Sequence, residues 1–209
     1  MADWQTALEN ARRQLELEET GGSILDRLFA GLSRKTNAKY LVVHKHPDVD
    51  AWLCLWIAHT FIPEAKDAEI IFVNSGETFN GCDPDDPSVL HFDTGRGEYD
   101  QHGKGLERSS SAFLLAIRKG LEQNPGLRPL LELSIAVDNI DPIPPTSIHF
   151  AIEGYAFRLR REDGSTDWKK VQERVFELFD IVFGQETQRV QSRQQFERQA
   201  RRVVLPNGI

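Results

Sequence analysis

Three short segments of this chain carry histidine and aspartate in patterns that suit divalent metal ions. Carboxylates together with imidazole suit Mn²⁺, and carboxylates alone suit Mg²⁺. The sequence therefore predicts a site for one or two such ions, formed where these three segments come together. The candidate ligands are His44, Asp48 and Asp50 in the first segment, Asp93 and His102 in the second, and Asp138 in the third.

The elements expected around these segments bring them to one edge of a sheet. A short buried strand is predicted over 40–43 and another over 89–93, so the first segment follows a strand and Asp93 ends one. Ligands of open α/β sheets bind at the carboxyl ends of the strands. His91 and Asp93 are two residues apart in the predicted strand, so we expect them on one face. A helix beginning near Asp50 directs its first N–H groups to the same place, which favours phosphate binding.

Strands alternate with helices along the middle of the chain, which predicts an α/β fold with a mainly parallel sheet in three layers. Apolar periodicity predicts the other elements: helices over 2–18, 23–33, 51–61, 110–121 and 127–137, and a strand over 69–73. Beyond Asp141 the pattern is mostly helical, with an apolar stripe from Trp168 to Phe183 and a last helix over 186–203. We expect N-terminal helices over 1–36, a metal-binding α/β core over 37–145 and a helical extension over 146–209.

The composition of the chain excludes several classes of protein. The 209 residues are 40% apolar, which is enough for a hydrophobic core, and the net charge of −7 argues against a surface coated with phosphate-binding lysines. Apolar runs fall short of the roughly 20 residues that span a bilayer, and no signal peptide is recognisable at the N-terminus. Cys54 and Cys82 form no C-x-x-C pattern, so neither a disulfide framework nor a zinc ribbon is predicted. These features indicate a cytoplasmic protein without a membrane partner.

The three segments resemble the motifs of the DHH phosphoesterase superfamily. His44-x-x-Pro47-Asp48-x-Asp50 is similar to its first motif, and Asp93 stands where the second motif has an aspartate. The name-giving triplet corresponds to Asp100-Gln101-His102, and the aspartate of the fourth motif corresponds to Asp138. Within the superfamily the spacing resembles the MYG family (melanocyte proliferating gene product and bacterial relatives), over roughly residues 40–200.

The resemblance implies a Mn²⁺- or Mg²⁺-dependent hydrolase of phosphoesters, and relatives in the MYG family are described as nucleases. The expected substrate is a nucleotide or a short nucleic acid. By this resemblance His44, Asp48 and Asp93 hold one ion. Asp50, Asp93 and Asp138, with His102, hold a second ion that shares Asp93, and the two ions activate a water for in-line attack on phosphorus.

Two features of the chain depart from the family pattern. Gln101 replaces the first histidine of the triplet, and an amide is a poor substitute for imidazole at a transition metal. The second metal position is then weak, or is filled through His46 or His91. The chain also ends about where relatives begin a second lobe, so either it is a fragment or that lobe is absent.

The resemblance also suggests catalytic and substrate-binding residues. His102 is the candidate donor to a phosphoryl oxygen, with Asp100 beside it, and the loop cations Arg96, Lys104 and Arg108 are candidates for binding substrate charge. Exposed loop cations without a role are an equally good interpretation of these three. Two further functions stay open, namely a non-catalytic metal- or nucleotide-binding module and an assembly module that forms a homodimer through its C-terminal helices.

Overall fold

A three-stranded parallel sheet forms the centre of the fold. The structure is a computed structural model that describes residues 4–19, 38–106 and 108–200. The strands are β1 (Tyr40–His44), β2 (Glu69–Val73) and β3 (Val89–His91), in the order β2-β1-β3. All three predicted strands are confirmed, although β3 ends two residues before Asp93. The central strand β1 is a continuous buried apolar run at Leu41, Val42 and Val43, as expected for a parallel strand with a partner on each side.

One helix, α2 (Val49–Phe61), is buried over ten consecutive residues from Val49 to Ala58. Its sequence is apolar all round, which is the pattern of a helix with neighbours on every side. It packs against α3 (Ser111–Arg118), α4 (Arg128–Asp138) and the last helix. The helix begins where Asp48 accepts hydrogen bonds from the first backbone N–H groups, and this fixes the aspartates of the first segment at the end of β1.

The remaining described helices are α1 (Trp4–Glu19), α5 (Ile148–Arg158) and α6 (Trp168–Gln199). The expectation of two helices after 168 is wrong, because α6 is one helix of 32 residues. Gly184 lies inside it and costs only about 1 kcal/mol relative to alanine. The glutamine, glutamate and arginine residues that follow are good helix formers, so nothing ends the helix there. The helix predicted over 23–33 lies outside the described residues.

One hydrophobic cluster joins side chains from α1, the sheet, α2–α4, α5 and α6. The Trp168–Phe183 stripe belongs to it: Val171, Val175 and Phe179 are fully buried, and Trp56 Nε1 donates to Asp180 Oδ1 over 2.9 Å. The described chain is therefore a mixed α/β fold whose last helix packs on the buried helix α2. Among the described residues, no helix is both long and apolar enough to cross a membrane.

Candidate metal centre

His44 is the last residue of β1 and Asp48 follows four residues later, and backbone groups hold both side chains. His44 Nδ1 lies 2.9 Å from the carbonyl oxygen of Lys45, and its Nε2 lies 3.0 Å from Asp93 Oδ2. Asp48 caps α2, since its Oδ1 accepts from the N–H of Asp50 at 2.8 Å and of Ala51 at 3.1 Å. The expectation that these N–H groups hold a phosphate is wrong, because the Asp48 carboxylate already occupies them.

Asp93 follows β3 in a left-handed backbone conformation, with φ of 52°. This conformation is uncommon for residues other than glycine, and aspartate is among those that tolerate it. The Asp93 side chain is buried, and its Oδ2 contacts His44. Its Oδ1 is also buried but takes part in no hydrogen bond. A buried carboxylate oxygen without a partner is costly and indicates a place for a cation.

Asp50 lies in the first turn of α2, fully buried, and both of its oxygens accept hydrogen bonds. The N–H of Ser111 donates to Oδ2 at 2.8 Å and the N–H of Ala112 donates to Oδ1 at 2.9 Å. These two groups begin α3, whose N-terminus favours a nearby anion. The hydroxyl of Ser134 on α4 also donates to Oδ1. Asp50 therefore ties α2 to α3 and α4 beside the site.

Asp138 is the last residue of α4 and is held by Gln101. The amide nitrogen of Gln101 donates to Asp138 Oδ1 over 2.9 Å, and its amide oxygen accepts from the Ser111 hydroxyl. Gln101 is buried and Asp138 is half-buried. Gln101 thus connects Asp138 to the start of α3.

His102 and Asp100 form a pair at the mouth of the site. Asp100 is buried, and its Oδ1 accepts from both the backbone N–H and the Nδ1 of His102 at 2.9 Å. Asp100 Oδ2 accepts from the N–H of Arg96 at 2.8 Å. The His102 side chain is 61% exposed, and its Nδ1 lies 3.5 Å from the buried Asp93 Oδ1.

The structure brings together all six candidate ligands. Three sets of side chains have ligand atoms within 4.8 Å of one another, and Asp93 belongs to every set. Its position at the centre of the group is the one expected of a bridging ligand. The sets are His44, Asp48 and Asp93; Asp93, Asp100 and His102; and Asp50, Asp93 and Asp138.

The crowding of carboxylates alters the acidity of the aspartates. Burial and the neighbouring charge of Asp93 raise the pKa of Asp138 to about 6. Burial, reinforced by the charge of Asp48, raises the pKa of Asp93 against the opposing effect of His44. Burial and the charges of Asp93 and Asp48 also raise the pKa of Asp50. Like charges that are brought together out of water favour protonation, and a bound cation would reverse this preference.

The pKa values of the two histidines of the site are also raised, although burial opposes this rise instead of causing it. Burial alone would lower the pKa of His44, but its hydrogen bond to Asp93, its contact with the Lys45 carbonyl and the nearby carboxylate charges raise it to about 9. For His102 the lowering by burial is likewise outweighed, by the hydrogen bond to Asp100 and the charges of three aspartates, so its pKa is raised. At neutral pH His44 therefore carries a proton, which a metal ion would have to displace.

His46 and His91 do not reach the site, so the suggestion that either fills a metal position is wrong. The His91 ring accepts from the N–H of Phe79 at Nε2 and lies 3.2 Å from the Pro84 carbonyl at Nδ1. The left-handed conformation of Asp93 breaks strand alternation after His91, so the two side chains do not share a face. The exposed His46 ring packs against Trp168 instead.

The three candidate substrate cations differ in their surroundings. The Arg108 guanidinium pairs with Asp141, and the Lys104 ammonium donates to the carbonyl of Glu98 at 3.2 Å. Arg96 is exposed, and no ion pair of its side chain is found among the described residues. Of the three, Arg96 is therefore the cation most free to bind a negatively charged substrate.

The residues that hold Asp50 and Asp138 were not foreseen as a network. The Ser110 and Ser134 hydroxyls lie 2.6 Å apart, and Ser110 also accepts from the N–H of Phe113 as the cap of α3. The serine pair before an apolar run signals a helix start, and helix starts attract carboxylates. That signal could have indicated that an aspartate lies at the beginning of α3.

A comparison of the chain with protein-family models, with curated proteins and with solved structures gives no significant match.

Proposed function

We propose that this chain is a divalent-metal-dependent phosphoesterase of the DHH type, acting on phosphodiester bonds of nucleotides or oligonucleotides. One observation carries the proposal: Asp93 belongs to all three ligand sets, and its buried Oδ1 takes part in no hydrogen bond. A cation at this oxygen would offset the cost of its burial. The parallel order of the three strands supports the finer proposal of a DHH-like three-layer fold.

The donor set fits a divalent ion. Carboxylate oxygens predominate, and His44 adds an imidazole nitrogen that already lies 3.0 Å from Asp93. This mixture of oxygen and nitrogen ligands favours Mn²⁺ over Mg²⁺, which prefers oxygen ligands alone. His44, Asp48 and Asp93 would hold one ion, and Asp50, Asp93 and Asp138 would hold a second. Such an ion would supply positive charge beside a phosphate and would lower the pKa of a water.

His102 is the residue we assign to proton transfer. Asp100 holds its Nδ1, which leaves Nε2 as the nitrogen that can exchange a proton with a substrate oxygen. Its ring is more than half exposed at the mouth of the site, so a substrate can reach it. The raised pKa of His102 favours the protonated form, which suits a general acid that donates to the leaving oxygen. Arg96 can add positive charge beside this histidine.

The first test separates metal binding from turnover. Thermal melts with a chelator and with Mn²⁺ measure binding, because an ion at about 100 times its Kd stabilises the native state by about 2.7 kcal/mol. Mn²⁺-dependent hydrolysis of bis-p-nitrophenyl phosphate measures turnover. His102→Asn should keep the Mn²⁺ shift in the melt while lowering the rate about 100-fold. Identical melting temperatures with and without Mn²⁺ would rule out the metal site.

A non-catalytic metal- or nucleotide-binding module is the second candidate function. The Gln101 amide favours it, because it supplies a hydrogen-bond donor to Asp138 at the position where relatives supply a metal-binding imidazole. A protein with only one well-formed metal position would retain binding and lose two-ion chemistry. An Mn²⁺ shift in the melt without hydrolysis of the phosphodiester would favour this candidate.

A further inference from the structure

Helix α5 carries two large aromatic side chains on the face that points away from the core. Phe157 is 80% exposed and Phe150 is 43% exposed. Gly154 lies between them on the same face, and a Cβ atom there would meet open space. The opposite face holds the fully buried Ile152, through which α5 packs into the hydrophobic cluster. α5 is therefore apolar on both faces, and only one of them is covered within the described chain.

The spacing on the exposed face is that of a helix pairing seam. Phe150, Gly154 and Phe157 stand at i, i+4 and i+7, which is the d-a-d pattern of a heptad. In this frame Glu153 takes position g and Arg158 takes position e. Both are exposed and flank the seam on opposite sides. In a parallel pair of helices, a g residue faces the e residue five positions later in the partner.

We propose that α5 is a self-association surface on which a second copy of this chain binds, with the two α5 helices parallel about a two-fold axis. Glu153 of each copy then faces Arg158 of the other, so the seam is complementary to itself in charge as well as in shape. Gly154 allows the two backbones to approach between the phenylalanine side chains. This self-complementarity selects a second copy over an unrelated partner, which would not need opposite charges five residues apart.

The charges around the seam agree with this arrangement. Among the described residues, Glu153 Oε1 has an ion-pair contact with His149 Nε2 at 3.5 Å, one turn earlier in the helix. No ion pair of Arg158 is found among the described residues, so its charge is open to a partner. The Trp168–Phe183 stripe, which belongs to the C-terminal helices of the open homodimer hypothesis, packs into the core at Val171, Val175 and Phe179. The proposal therefore places the self-association surface on α5.

A pair of eleven-residue helices buries a small area, so the dimer is expected to be weak. Interfaces below about 1,200 Å² in total are typical of transient complexes, and a Kd in the micromolar range corresponds to about −8 kcal/mol. Sedimentation velocity of the full chain over about 5 to 500 µM is the appropriate measurement. The wild-type protein should shift from monomer to dimer across this range. A monomer at the highest concentration overturns the proposal and leaves the face to a different partner.

Substitutions on the exposed face should act without disturbing the fold. Phe157→Glu should remove the dimer across the whole range, while leaving the far-ultraviolet circular dichroism unchanged. Phe196→Glu is the matched control, because Phe196 is 72% exposed near the end of α6 and lies outside the seam. Unchanged dimerisation in Phe157→Glu, or equal loss in Phe196→Glu, would contradict an interface at α5.

Charge reversal tests the parallel register itself. Glu153→Arg alone and Arg158→Glu alone each place like charges across the seam and should weaken dimerisation about threefold or more. The double variant Glu153→Arg/Arg158→Glu restores opposite charges and should recover the wild-type Kd. Failure of the double variant to recover would overturn the parallel arrangement, since independent surface effects would add instead.

Discussion

The two sides of the candidate metal centre hold their ligands by different means. On the His44 side, formed by His44 and Asp48, backbone groups hold one atom of each side chain. On the Asp138 side, formed by Asp50 and Asp138, hydroxyl, amide and helix N–H donors reach the carboxylates themselves. Asp93 is shared by both.

This difference indicates how the two sides compete for a cation. Backbone support on the His44 side orients the ligands, and the second ring nitrogen of His44, Nε2, contacts only Asp93, the ligand that both sides share. On the Asp138 side, donors from Gln101 and Ser134 already satisfy carboxylate oxygens that a metal would use. Hydrogen bonds to a carboxylate stabilise its charged form, so part of the benefit of a cation is already present. We therefore expect the His44 side to bind first and more tightly.

Asp93→Ala should give the largest effect, because it removes the ligand that the two sides share. We expect Mn²⁺ binding to weaken at both positions by at least about 100-fold, which corresponds to about 2.7 kcal/mol. Isothermal titration calorimetry with Mn²⁺ measures this change. Asp67→Ala, at an exposed acid in the turn before β2, is the control. A variant that keeps full Mn²⁺ affinity would contradict the central position of Asp93.

Comparison of His44→Gln with Asp138→Asn tests the difference between the sides. His44→Gln removes the imidazole and should weaken the tighter Mn²⁺ site about 30-fold or more. Asp138→Asn should leave that site nearly unchanged and reduce only the weaker one. Electron paramagnetic resonance of free Mn²⁺ counts the ions bound in each variant. If Asp138→Asn weakens the tighter site as much as His44→Gln does, the order of binding is reversed.

The pH dependence of the metal-free protein should reveal the protons held by the two sides. Asp138 has a pKa of about 6 in the fold against 3.8 ordinarily, and His44 has about 9 against 6.5. Each group binds its proton more tightly in the native state, so protonation favours folding. The contribution of Asp138 to the free energy of unfolding is present below about pH 4 and lost through about pH 6. That of His44 is lost between about pH 6.5 and 9.

Urea unfolding of the chelator-treated protein from pH 4 to 9 measures these losses. The difference in the free energy of unfolding between wild type and Asp138→Asn should change between pH 4 and 6. The same difference between wild type and His44→Gln should change between pH 6.5 and 9. Parallel stability curves for wild type and either variant would contradict the assigned pKa shift. With saturating Mn²⁺ the decline in the free energy of unfolding above pH 6.5 should disappear, because His44 would then carry no proton in either the native or the unfolded state.

The features predicted from sequence are those that depend on local pattern. Strand ends follow from apolar runs and turn residues, so the convergence of Asp48 and Asp93 was predictable. The divergence of His91 and Asp93 was not, because the Asp93 side chain takes its direction from a left-handed backbone conformation at Asp93 itself. The contact of Gln101 with Asp138, 37 residues away, depends on how α4 packs against the loop before α3. The sequence alone contains no signal for that packing.

The smallest effect is expected from Gln101→His, which tests why the Asp138 side is weaker. In the present structure Gln101 bridges two partners, donating to Asp138 and accepting from Ser111. A histidine would remove the amide that occupies Asp138 Oδ1 and would bring an imidazole nitrogen to the same place. Imidazole binds Mn²⁺ far better than an amide does.

Two effects of Gln101→His oppose each other, which keeps the expected gain modest. The released Asp138 oxygen and the new nitrogen favour a second ion, but the buried position loses its fitted hydrogen bond to Ser111, at a cost of about 1 kcal/mol. We expect Mn²⁺ binding on the Asp138 side to tighten about tenfold, with the His44 side unchanged. Gln101→Ala separates the causes, because it frees Asp138 without adding a ligand. If calorimetry shows equal tightening in Gln101→Ala and Gln101→His, the release of Asp138 is sufficient. No change in either variant would mean that the Gln101 bridge does not limit the second site.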